Sequence, residues 1–95
     1  MKLRPVLLLT WSIGVIPEVL VAYISSAIPT QILASDLLLD PGTPEFQSTG
    51  LKTLSILRLH KLATIHSSSL ARYLGAIDAT TAAIVATKLR AILAL

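Results

Sequence analysis

Few side chains in this sequence of 95 residues have the types and spacing needed for chemistry. The two histidines, His60 and His66, lie six residues apart. On a helix this offset turns them about 120° away from each other, so they cannot share a metal ion as an i, i+4 pair would. Each histidine is at most a single ligand to a cofactor, and a surface role is the expected one. The sequence therefore predicts no metal site and no bound cofactor.

Two carboxylates are candidates for a functional role, Glu18 and Asp78, because each interrupts an apolar stretch. A carboxylate on a helix in lipid is functional as a rule, whereas the same residue on a soluble amphipathic helix faces water. Asp36 and Asp40 lie beside a proline turn, where roles at a helix end or in the turn are expected. No phosphate-binding glycine loop, zinc pattern or dinucleotide motif occurs. We predict that the protein is not an enzyme and identify no small-molecule substrate.

The overall composition favours a membrane protein. Hydrophobic residues make up 54% of the chain and charged residues 14%, whereas a soluble domain is about 45–50% apolar and about 25% charged. Residues 51–95 carry six of the eight basic side chains and one of the five acidic ones, an asymmetry typical of a segment at an anionic lipid surface. The four aromatic residues are too few for a stacking surface on single-stranded nucleic acid, so no nucleic-acid partner is predicted.

The elements that must position these residues begin with an apolar stretch from Pro5 to Leu39, whose only charges are Glu18 and Asp36. Prolines at positions 5, 17 and 29 divide this stretch at equal intervals. Proline is favoured at the first position of a helix and disfavours helical geometry in the residue before it. The pattern predicts three short helices that are broken at the prolines.

Residues 5–28 are the part of this stretch expected to enter or dock on a membrane. Their Val, Leu and Ile residues favour insertion, whereas Glu18 opposes it by about 3 kcal/mol. The basic start Met1–Arg4 followed by an apolar run also resembles the layout of a signal peptide. An uncleaved anchor is the preferred interpretation, because apolar residues resume directly after Glu18.

The second half of the chain follows a loop at residues 40–50 that is rich in proline and glycine. A basic helix is predicted over residues 51–66, and a C-terminal helix over residues 68–95. The candidate membrane-surface contacts are basic residues: Lys52, Arg58, Lys61 and Arg72. Small residues four apart could let another helix approach closely: Gly75, Ala79 and Ala83.

The predicted organisation is therefore all-α, with a hydrophobic segment (1–39), a Pro/Gly loop (40–50) and a basic helical segment (51–95). The predicted function is a small, non-catalytic membrane protein or accessory subunit of a membrane complex, located at the membrane. Two alternatives remain open from the sequence. One is a soluble helical binding module that hides the apolar stretch in a protein partner, and the other is a membrane-active toxin or bacteriocin-like peptide.

Overall fold

A four-stranded antiparallel sheet forms the centre of the computed structural model, which describes residues 4–95. Its strands are β1 (Val6–Leu8), β2 (Glu18–Ser25), β3 (Asp36–Leu39) and β4 (Ser55–His66), arranged in the order β1-β2-β4-β3. Short 3-10 helices span Pro44–Thr49 and Ser67–Ser69, and helix α1 spans Ala79–Leu93. The all-α prediction is wrong, because β structure dominates and a single α-helix occurs in the described chain.

Strands β1, β2 and β3 occur where the three proline-broken helices were predicted, so that prediction is wrong. It failed because these apolar runs are too short for their pattern to distinguish a helix from a strand. Pro5 and Pro17 each directly precede a strand, a position that proline tolerates because it donates no hydrogen bond there. The run after Pro17 is rich in Val, Tyr and Ile, which favour strands. The predicted basic helix over 51–66 is also wrong: this segment contains β4, the longest strand and the partner of both β2 and β3.

A bulge in β4 curls the sheet. Ala22 pairs with Leu62, but the next residue of β2, Tyr23, pairs with Arg58, so residues 59–61 of β4 are extra. Extra residues in one strand bend it and increase its local twist. The sheet thereby becomes a curled half-barrel rather than a flat layer.

Helix α1 covers one face of this sheet. The buried core cluster joins the sheet residues Ala22, Leu57 and Leu59 to Phe46 of the first 3-10 helix and Val85 of α1. The helix predicted over 68–95 begins only at Ala79. The Asp78 carboxylate accepts a hydrogen bond from the Thr81 backbone N–H at 2.8 Å and caps the helix, while residues 70–78 run without regular structure.

No helix formed by residues 4–95 is long and apolar enough to cross a bilayer, and α1 has 15 residues. The predicted transmembrane helix is therefore wrong. Most of Met1–Arg4, the basic start of the predicted signal, lies outside the described residues. Residues 5–28 instead supply β1, β2 and the connection between them.

Gly75 and Gly50 allow the segment before α1 to lie directly against the first 3-10 helix. The Ala76 N–H donates to the Ser48 carbonyl oxygen at 2.7 Å. A Cβ on Gly75 would collide with the Ser48 oxygen and lie 2.5 Å from the carbonyl carbon of Thr49, and a Cβ on Gly50 would collide with the backbone of Leu74. Gly75 thus permits a close backbone approach, but against a 3-10 helix rather than another α-helix.

We expect Gly75→Ala to lower the free energy of unfolding by about 1–3 kcal/mol, because the methyl group meets backbone atoms that cannot rotate away. Urea denaturation measures this difference. The matched control is Gly42→Ala, whose methyl meets only the end of the Asp40 side chain at 3.3 Å, and which should change stability by no more than about 0.5 kcal/mol. Equal midpoints for the two variants would contradict the close approach.

Candidate functional site

Two rows of side chains cross the sheet on the face opposite α1. Residues directly opposite each other in antiparallel strands place their side chains on the same face. The first row consists of paired residues from all four strands: Val6, Tyr23, Arg58 and Asp36. The second row lies two residues further along each strand and contains the paired residues Ser25, Ile56 and Leu38. Arg4 joins this row when the β1–β2 register is extended beyond Val6. These two rows place Arg4, Ser25, Tyr23, Arg58 and Asp36 on one face of the sheet, beside the fully buried Ile56.

Arg4 and Ser25 form the outer end of the second row. The Ile24 N–H donates to the Pro5 carbonyl oxygen at 3.3 Å, so the ladder between β1 and β2 continues to the beginning of β1. The next pair along this register is Arg4 opposite Ser25, a pair of the kind without mutual backbone bonds, in which side chains approach most closely. The Ser25 hydroxyl oxygen accepts from the Ala27 N–H at 3.0 Å, which keeps it at the strand end.

The Arg4 guanidinium is exposed and carries an uncompensated charge. Within residues 4–95, the ion pairs formed within 4 Å involve the Asp36 carboxylate and do not include Arg4. A guanidinium of this kind binds a phosphate group through two parallel hydrogen bonds. Together with the Ser25 hydroxyl and the neighbouring Ser26, it makes this end of the sheet suited to a phosphate ester.

Asp36 and Arg58 form a buried ion pair in the first row. The Asp36 side chain is fully buried, and its Oδ1 accepts from Arg58 Nε at 3.0 Å while its Oδ2 accepts from Arg58 Nη2 at 3.4 Å. The Leu33 N–H also donates to Oδ2 at 2.9 Å. Burial alone would raise the pKa of Asp36, but the Leu33 hydrogen bond and the Arg58 guanidinium outweigh it and lower the pKa below its ordinary value.

The basic residues predicted to contact a membrane surface belong to different elements of the fold. Arg58 is held in its ion pair with Asp36. Lys52 precedes β4, Lys61 lies in the β4 bulge, and Arg72 lies in the irregular segment before α1.

The two histidines are separated by half of β4. His60 Nδ1 lies 2.7 Å from the Ser35 hydroxyl and 3.8 Å from Asp36 Oδ1. His66 Nδ1 bonds the Ser68 hydroxyl at 2.6 Å and accepts from the Ser68 N–H at 3.1 Å. No group of three metal-ligating side chains was found in the described part of the chain.

The two candidate carboxylates and the two small residues predicted for helix packing lie at the following positions. Glu18 begins β2, is exposed, and lies opposite His66. Asp78 caps α1, and the Thr81 hydrogen bonds hold the pKa of its carboxyl below the ordinary value. Ala79 is the first residue of α1 and Ala83 lies exposed on it.

The sequence analysis did not single out Arg4, Ser25 or Tyr23 as candidate site residues, and it assigned Asp36 to a helix end or a turn. A signal for the ion pair existed, because Asp36 is one of two charges in a long apolar stretch, and a buried charge requires a partner. The choice of Arg58 among eight basic residues depends on the strand register, which no local pattern reveals.

Comparisons with known proteins show which family and which solved structures this chain is similar to. The family described as PemK-like, MazF-like toxin of type II toxin-antitoxin system matches residues 1–93. The solved structure of Mycobacterium tuberculosis toxin MazF-mt6 is 26% identical, with a TM-score of 0.77 over 97% of this chain and 87% of that chain. An Mtb toxin is 27% identical, with a TM-score of 0.71 over 90% and 88% of the two chains.

A third similar structure, an endoribonuclease from mycobacterial species, is 18% identical, with a TM-score of 0.62 over 83% of this chain and 66% of that chain. At this identity it shows the fold alone. No curated protein sequence matches the chain.

These comparisons overturn the functional predictions. PemK-like and MazF-like toxins are endoribonucleases that act on RNA and bind antitoxins. The predictions of a non-catalytic membrane subunit, of lipid as a partner, of a membrane location and of no nucleic-acid partner are therefore wrong. Neither alternative from the sequence named RNA cleavage, and the toxin alternative assigned the wrong target.

We expect Asp36→Asn to lower the free energy of unfolding at pH 7 by about 3 kcal/mol, because it leaves Arg58 without its counter-charge in a largely buried position. The lowered pKa in the folded state means that this stabilisation is present above about pH 4 and is lost as pH falls towards the folded-state pKa. Urea denaturation between pH 7 and pH 3 measures both effects.

The control is a double-mutant cycle with Arg58→Met. The double variant should lose clearly less stability than the sum of the two single variants, because the two groups stabilise each other. Additive losses, or an Asp36→Asn variant with the same acid sensitivity as the parent protein, would contradict the buried ion pair.

Proposed function

The chain belongs to the family of PemK-like, MazF-like toxins of type II toxin-antitoxin systems, and on this premise we propose that it is an endoribonuclease whose active site includes Arg4 and Ser25. The observation that supports this proposal is the uncompensated charge of Arg4 just before β1, at the position that lies opposite Ser25 when the β1–β2 register is extended by one pair beyond the Ile24–Pro5 hydrogen bond. We also propose that its protein partner is an antitoxin, as the family description implies.

Arg4 has the chemistry that phosphodiester cleavage requires. Attack on the phosphorus atom increases the negative charge on the two non-bridging oxygens, and fixed hydrogen-bond donors near these oxygens stabilise the transition state more than the ground state. The planar guanidinium presents two parallel N–H groups to such oxygens. Arg4 would therefore both bind the phosphate and lower the barrier to its cleavage.

Ser25 would help to orient the phosphate ester beside Arg4. Its hydroxyl oxygen accepts the Ala27 N–H, which leaves the hydroxyl hydrogen available for a phosphate oxygen. A single neutral donor of this kind positions the ester without changing the charge of the site. Because β2 is hydrogen-bonded on both sides, to β1 and β4, the hydroxyl is held on a rigid element, as precise catalysis requires.

We expect the protein to cleave single-stranded RNA and Arg4→Ala to lower kcat by about 10²–10³-fold, the usual effect of removing one charge-stabilising donor. Labelled RNA of mixed sequence, followed by gel electrophoresis, measures the rate. Arg90→Ala removes the same side chain from an exposed position in the last turn of α1 and should leave the rate unchanged.

Arg4→Lys separates charge from geometry and should retain only part of the activity, since an ammonium group lacks the paired N–H groups. A folded parent protein that leaves RNA intact would contradict the proposed activity. An Arg4→Ala variant as active as Arg90→Ala would instead contradict the proposed site.

A further inference from the structure

Tyr23 lies on β2, a central strand of the sheet, and its side chain is nevertheless open to solvent. It is paired with Val6 on β1 and with Arg58 on β4, so its backbone is held from both sides. Even so, 40% of its surface is exposed. The other exposed aromatic residues, Trp11 and Tyr73, lie outside the strands and are 82% and 81% exposed.

The Tyr23 ring lies on the same face as the proposed phosphate site. Tyr23 and Ser25 are two residues apart on β2, which corresponds to about 7 Å along the strand. Arg4 is the diagonal neighbour of Tyr23 across the β1–β2 pair, at about 7–8 Å. Tyr23 is therefore the aromatic residue of these two rows, and it would lie beside a phosphate bound between Arg4 and Ser25.

The charge beside Tyr23 is compensated. Arg58 uses its Nε and Nη2 groups to bind Asp36, so this cation is already paired and offers less to a second phosphate. Among the side-chain hydrogen bonds of the described residues, none involves the Tyr23 hydroxyl. The surface next to Arg4 thus presents a flat aromatic ring with little net charge, which suits a nucleobase.

We propose that the Tyr23 ring stacks on the RNA base adjacent to the phosphate bound at Arg4, an inference that rests on the proposed RNA-cleaving function. Stacking of a base on an aromatic side chain is tolerant of base identity. Tyr23 is accordingly a residue that positions the substrate for cleavage. The low aromatic content of the chain does not argue against this role, because one fixed ring serves one base.

The test compares Tyr23→Leu, which removes the ring but keeps an apolar side chain, with Tyr23→Phe, which removes only the hydroxyl group. The substrate is a labelled single-stranded RNA with one cleavage site. We expect Tyr23→Leu to lower kcat/KM by about 5- to 150-fold, the effect of losing one stacked base. Tyr23→Phe and the control Tyr73→Leu should stay within about twofold of the parent protein.

A second set of substrates distinguishes stacking from a structural role. A single abasic nucleotide is placed at each position near the cleavage site in turn. At one position next to the scissile phosphate, base removal should lower kcat/KM of the parent protein by the same factor as Tyr23→Leu. The same base removal should have little further effect on Tyr23→Leu, because interacting partners are not additive.

The outcomes separate this inference from the proposed function. Cleavage by the parent protein with no loss in Tyr23→Leu would overturn the stacking role and leave the RNA-cleaving function intact. Equal losses in Tyr23→Phe and Tyr23→Leu would overturn it too, because the hydroxyl rather than the ring would then be required. Absence of cleavage by the parent protein would overturn the proposed function itself.

If Tyr23→Leu does not fold, the abasic substrates decide with Tyr23→Phe and Tyr23→Trp alone. A stacking role predicts that both aromatic variants keep the parent's sensitivity to base removal at the same position. An equal response of the parent protein to base removal at every position would overturn the inference. Circular dichroism and thermal denaturation establish whether each variant is folded.

Discussion

The Asp36 carboxylate is buried, and its need for hydrogen-bond partners constrains the whole sheet. Its oxygens accept from Arg58 on β4 and from the Leu33 N–H in the loop before β3. These bonds tie the edge strand to the longest strand and fix the path by which the chain enters β3. Removing one partner from a buried pair of charges costs several kcal/mol, so registers of β3 that separate Asp36 from Arg58 are strongly disfavoured.

The two arginines on this face of the sheet, Arg58 and Arg4, differ in what their charges are available for. Arg58 is occupied within the protein, whereas Arg4 at the open end of the sheet is exposed and available to a ligand. Helix α1 also contacts the segment that precedes β3. The Lys88 ammonium group donates to the Ala34 carbonyl oxygen at 2.8 Å, two residues before Asp36 in the sequence. The structural ion pair and the charge proposed to bind phosphate therefore belong to different arginines of one sheet.

The helical interpretation of the first half failed for an identifiable physical reason. The apolar runs around β1 and β2 are rich in residues that both a buried strand and a membrane helix accept, and periodicity cannot distinguish the two over so few residues. Part of the high hydrophobic content, which suggested lipid, is buried between the strands and helix α1, and many other large hydrophobic side chains are exposed. Glu18, the charge that argued against a membrane span, lies at the exposed beginning of β2.

The sequence by itself determined the features that depend on neighbouring residues. Asp40 and Gly42 form a turn, with the Asp40 carboxylate accepting from the Gly42 N–H at 2.8 Å, and an alanine-rich helix occurs near the end of the chain. Only the tertiary structure decided which strands pair, and so which charges meet. Arg58 joins Asp36 across 22 positions, and the extended β1–β2 register brings Arg4 opposite Ser25 from 21 positions away. Such pairings follow from sheet register and the bulge in β4, which are set by packing and not by any local preference of the residues involved.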